Sequence, residues 1–149
     1  MALKDDVMTA LKAAMKAQDQ DQLRTLRSLK AAIQNVETAE GFGGWDDAAE
    51  LKLLQKQAKQ RRDSIEQFEA NGRTDLAATE KAELKVIETF LPAQLSEQEL
   101  AAEVAKLIEG AAAEGPPAFG TLMKAAQQQL AGRVDGKALA AELKRQLNV

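Results

Sequence analysis

The stretch "KQAKQRRDSIEQFEANGRTDLAATEKAELKVIETFLP", Lys56 to Pro92, decides the fold. Helix-forming Lys, Gln, Glu, Ala and Leu fill both of its halves, and the two are separated by Asn71-Gly72. That pair marks a helix end passing through left-handed backbone. Thr74 starts a second helix, which must stop near Leu91 because Pro92 disfavours helical geometry in the residue before it. Two helices joined by so short a turn fold back as an antiparallel hairpin. Wound at about 100° per residue, Leu51, Leu54, Ala58, Ile65 and Phe68 share one face of the first helix, with Lys52, Lys56 and Lys59 opposite.

Arg61 falls among the apolar residues, and on the second helix Glu80 and Glu83 fall among Leu76, Ile87, Phe90 and Leu91. Counted outward from Gly72, Arg61 and Glu83 are equally distant. The register therefore predicts a structural ion pair, Arg61 with Glu83 and Glu80 as second choice, because a buried guanidinium needs a carboxylate.

The flanking sequence is also helical. Aromatics are only 3% against 45% hydrophobic residues, so Ala, Leu, Ile, Val and Met must build the core, and no alternating β-branched run reads as a strand. A first helix is expected over about Lys4 to Lys16, burying Val7, Leu11, Ala14 and Met15. The next carries Leu26, Leu29, Ile33 and Val36, with Arg24, Arg27 and Lys30 along its flank and Asp19 or Asp21 as N-cap. "AEGFGGWDDA", Ala39 to Ala48, reads as a loop closed by Asp46 or Asp47 as cap. Beyond Pro92, Ser96 and Glu99 form a capping box for a fifth helix, which "AEGPPAFG", Ala113 to Gly120, ends. A sixth spans about Phe119 to Ala131, and a last one is capped by Asp135. The fold class is all-α: N-terminal helices with a long antiparallel hairpin over residues 1–91, then a small three-helix unit over 92–149.

Composition removes several chemistries. The chain has no Cys and no His, which excludes disulfides, thiolate nucleophiles and the commonest general base and metal ligand. Ser96 reads as a cap, and Ser28 and Ser64 lie within helices without a nucleophile-elbow pattern. There is no P-loop. Asp46, Asp47 and Glu50 match an ordinary helix start as well as a magnesium site. No catalytic residue, metal site or cofactor is assigned. With neither a signal peptide nor a long apolar run, the expectation is a cytoplasmic protein that makes no membrane contact.

The net charge of −3 argues against nonspecific coating of nucleic acid but leaves room for a local basic patch. From Pro116 onward the cations are Lys124, Arg133, Lys137, Lys144 and Arg145, against Asp135 and Glu142 alone. Lys52, Lys56 and Lys59 form a secondary basic face, which a solvated helix would also show.

Five phrases in order resemble the YqeY family, or GatB/YqeY domain: "LRSLKAAIQNVE", "KQRRDSIEQFEANGRTDLA", "ELKVIETFLPAQLSEQEL", "FGTLMKA" and "GRVDGKAL". That family is similar to the C-terminal part of the B subunit of tRNA-dependent amidotransferases, carbon–nitrogen ligases that take the amide nitrogen of glutamine. The resemblance implies a tRNA-associated accessory module whose partner is an amidotransferase or an aminoacyl-tRNA synthetase. It places the "GTLMKA…GRVDGKAL" tail toward tRNA. Gly120 also matches; Met123, Gly132, Asp135 and Gly136 carry structural roles there, Lys124, Arg133 and Lys137 are the phosphate contacts it implies, and Lys144 and Arg145 complete the expected tRNA-binding set. The competing expectation is a helical protein–protein adaptor with no RNA contact.

Overall fold

The computed structural model describes residues 2–112, 115 and 118–149. Within them the chain forms seven helices and no strand: α1 (Ala2–Ala17), α2 (Gln20–Thr38), α3 (Asp47–Ala70), α4 (Thr74–Glu88), α5 (Glu97–Ala112), α6 (Phe119–Gln129) and α7 (Gly136–Leu147). It divides into two compact units, Met1–Leu91 and Pro92–Val149. Of the segment expected to end the fifth helix, Ala113, Glu114, Pro116 and Pro117 lie outside the described residues.

In the first unit α3 and α4 pack along each other, and α2 packs on α1 and α4. The hairpin turn is a Schellman motif. The Arg73 N–H donates to the Phe68 carbonyl at 2.8 Å and the Gly72 N–H to that of Glu69 at 3.1 Å, with Gly72 at φ +71°. A side chain at position 72 would strain that backbone. Asp19 caps α2 by accepting the Gln22 N–H at 3.1 Å, and Asp46 caps α3 by accepting that of Ala49 at 2.7 Å. Leu3, Val7 and Leu11 of α1, Leu26, Leu29 and Ile33 of α2, Leu54 and Ala58 of α3 and Ile87 of α4 meet in one core.

Three expected core residues are exposed instead. Met15 is 56% exposed: the stripe of α1 steps through Leu3, Val7, Leu11 and Ala14, and the next position turns away just before the chain reverses at Gln18. Leu76 sits in the first turn of α4, beside the hairpin turn, and is exposed. Val36 is exposed in the last turns of α2, where α3 packs on α4 and touches α2 only briefly. Leu53, absent from the expected stripe, is buried.

The second unit closes α5, α6 and α7 around Leu100, Val104, Leu122, Ala126, Leu139 and Leu143. Ser96 and Glu99 exchange reciprocal bonds at the start of α5: the Ser96 N–H donates to Glu99 Oε1 at 3.0 Å, and the Glu99 N–H to Ser96 Oγ at 3.1 Å. Helix α6 ends at Gln129, two residues short of expectation, and the turn after it is tied to residues 93–95. Leu95 N–H donates to the Arg133 carbonyl at 2.9 Å and Gln94 Nε2 to that of Gly132 at 2.7 Å. Gly132, at φ +76°, is buried at that junction.

Candidate nucleic-acid interface

The charges inside the hairpin separate from those on the surface. Glu83 is almost buried on α4. Arg61 of α3 approaches it with Nε 3.6 Å from Oε2, both side chains being 11% exposed. At that distance the contact is an ion pair rather than a hydrogen bond, and the buried Arg61 Nε has no hydrogen-bond partner. The other guanidinium nitrogens of Arg61 donate to Gln57 Oε1 at 2.7 Å and to Ser28 Oγ at 3.0 Å. The hydrogen bond to Glu83 comes instead from Arg24, whose Nε lies 2.9 Å from Oε1. Arg24, expected along the flank of α2, thus joins α2 to the hairpin, while its Nη2 bonds Asp21 at 2.8 Å. Glu80 stands close by, and its carboxyl is held above the ordinary range, first by burial and then by the charge of Glu83.

On the outer face of α3, Lys59 pairs with Asp63 at 2.8 Å, whereas Lys52 and Lys56 are exposed and line a groove of about 650 Å³ beneath the 39–44 loop. That loop is pinned through Glu37, which accepts Trp45 Nε1–H at 3.1 Å and Lys4 Nζ at 3.1 Å. Arg73 is paired with Asp75 at 3.2 Å.

In the second unit the five cations of the expected tRNA-binding set are differently placed. Arg145 makes a fork to both carboxylate oxygens of Glu142, which lowers that carboxyl to about 2; Gln146 adds a further bond. Arg133, half-buried, donates Nε–H to the Ala93 carbonyl at 3.2 Å. Lys144 Nζ lies 5.7 Å from the centre of the Phe119 ring, a cation–π contact that leaves its charge at the surface. Lys124 and Lys137 are exposed on α6 and α7. The two acids between Ala118 and Val149 are both engaged, Asp135 as the cap that accepts the Lys137 N–H at 3.3 Å and Glu142 by Arg145. What these helices display is positive charge.

Two of the serines have structural roles: Ser28 Oγ accepts from Arg61, and Ser96 caps α5. Among the described residues no group of three potential metal-ligating side chains converges, and no helix is long and apolar enough to cross a membrane.

Residues 4–147 match the model of the family described as Yqey-like protein. The chain is similar to "Altered inheritance of mitochondria protein 41, mitochondrial" of Saccharomyces cerevisiae (strain YJM789), at 32% identity over 137 residues, covering 90% of this chain and 71% of the relative. It is 39% identical to the protein of that name from Lachancea thermotolerans over 101 residues, 66% of this chain and 54% of the relative. Against the Eremothecium gossypii protein it is 39% identical over 94 residues, 62% and 51%. These names correct the cytoplasmic expectation, since the relatives are mitochondrial proteins. The features behind that expectation, no signal-peptide pattern and no long apolar run, do not tell one aqueous compartment from another.

Proposed function

From the premise that the chain belongs to the Yqey-like protein family, we propose that it is an accessory module contacting folded tRNA through its C-terminal unit. The reaction belongs to a partner, a glutamine-dependent amidotransferase or an aminoacyl-tRNA synthetase. The first unit serves as a rigid stem, with Arg61 and Arg24 converging on Glu83 to hold its register. The second presents Lys124, Lys137 and Lys144 to phosphate, and Arg133 and Arg145, already hydrogen-bonded in the fold, contribute less.

The observation carrying this reading is that Lys124 and Lys144 stand exposed on a unit whose two acids between Ala118 and Val149 are engaged, Asp135 as a cap and Glu142 by Arg145. Phosphate is the group that exposed ammonium ions meet in folded RNA. The one aromatic of the second unit, Phe119, packs against the core with Lys144 over its ring and offers no stacking platform, so contact is with backbone and shape. Binding of labelled folded tRNA to the whole chain tests the proposal. Reversing Lys124, Lys137 and Lys144 to Glu should weaken binding at least about tenfold, since several phosphate contacts are lost together. Unchanged affinity would leave the adaptor reading in its place.

A further inference from the structure

The groove beneath the 39–44 loop belongs to neither the hairpin ion pairs nor the terminal lysines. Along α3 it runs from Ala49 to Gln60, and along α2 from Ala32 to Val36, continuing into the loop at Ala39. Twelve residues of α-helix span about 18 Å, a little over three helical turns. The groove lies where the end of α2, the 39–44 loop and α3 meet, and α3 packs mainly on α4. Its floor holds the exposed Val36 with Phe42 and Leu53, and Lys52 and Lys56 stand one turn apart on the rim formed by α3. The loop that roofs it is built rather than slack. Glu37 ties it to Trp45 and Lys4, and the Phe42 ring meets Trp45 edge-on at 5.4 Å.

We infer that this groove is a docking site for an amphipathic helix of a partner protein, about three turns long, with an apolar stripe on Val36 and Phe42 and acidic residues against Lys52 and Lys56. An apolar floor beside a row of charge is how helix-in-groove recognition is built, and the sign of that row selects acidic partners. RNA fits less well. An apolar floor offers nothing to sugar or phosphate, and Glu40 on the loop side would repel a backbone lying across the groove.

The test uses the whole chain and two synthetic helical peptides of about four turns. Both carry leucine at i, i+3, i+4 and i+7; one has glutamates and the other lysines flanking that stripe. Trp45, the only tryptophan, reports occupancy through its contact with Phe42, and peptide anisotropy gives the affinity. The glutamate peptide should bind at least about tenfold more tightly than the lysine peptide. Joint Lys52→Glu and Lys56→Glu substitution should invert that preference, and Val36→Asp should weaken both peptides. All three positions are exposed, and a thermal melt checks that each variant remains folded. No binding, equal binding of the two peptides, or a preference indifferent to charge reversal would overturn the inference. So would a loss of tRNA affinity in the Lys52/Lys56 variant with peptide binding unaltered, which would assign the face to RNA.

Discussion

Glu83 lies between two guanidinium groups, and their distances and exposures point in opposite directions. Arg24 is nearer, 2.9 Å against 3.6 Å, which by Coulomb's law alone favours it by about a quarter. Yet the Arg24 side chain is 45% exposed and that of Arg61 only 11%. The several-fold fall in effective dielectric on burial outweighs so small a difference in distance. In double-mutant cycles followed by urea denaturation, Arg61 and Glu83 should therefore couple more strongly than Arg24 and Glu83, whose coupling should stay below about 1 kcal/mol. Glu83→Ala, which strands a buried Arg61, should cost about 3 kcal/mol. Glu80 gives a prediction of the opposite sign. Its carboxyl is raised, so the fold favours the protonated form, and the stability this group contributes at low pH is lost as pH rises through its folded value. Glu80→Gln should accordingly be more stable than the parent at neutral pH, with the gap closing below the ordinary carboxylate pKa of 4.5.

The helices differ in how their ends and faces are secured. On α7, Arg145 and Gln146 hold the Glu142 carboxyl down to about 2. A depressed acid stabilises the fold above its unfolded pKa, and that contribution disappears as pH falls from about 4.5 toward 2. Helix melts across this window should show an acid-side loss of stability that Glu142→Gln makes shallower. Element ends were largely legible beforehand because they are local. Asn71-Gly72 gives the Schellman turn, Ser96 with Glu99 the capping box, and Asp135 the last cap, each within a few residues. Faces were less legible. The exposure of Val36 depends on α3 leaning away from it, and the bond from Arg24 to Glu83 joins residues 59 apart. No helical period contains either fact.

For the whole molecule, sequence charge counts treated all five terminal cations alike. Folding divides them: Arg145 and Arg133 are hydrogen-bonded to Glu142 and the Ala93 carbonyl, and Lys124, Lys137 and Lys144 are exposed. The two units also have separate cores. Leu143→Ala, at a fully buried site, should destabilise the second unit by about 2–5 kcal/mol. Hydrogen exchange should rise across α5, α6 and α7 and stay unchanged in α3 and α4. The central claim, that surface lysines on a small unit of an acidic protein meet tRNA phosphate, is tested most directly by the salt dependence of tRNA binding. Log affinity should fall linearly with log salt at about −0.7 to −0.9 per phosphate engaged. That line should flatten when Lys124, Lys137 and Lys144 become Glu, and steepen in Glu142→Gln, which releases Arg145. A slope near zero, or one indifferent to all four substitutions, would contradict it.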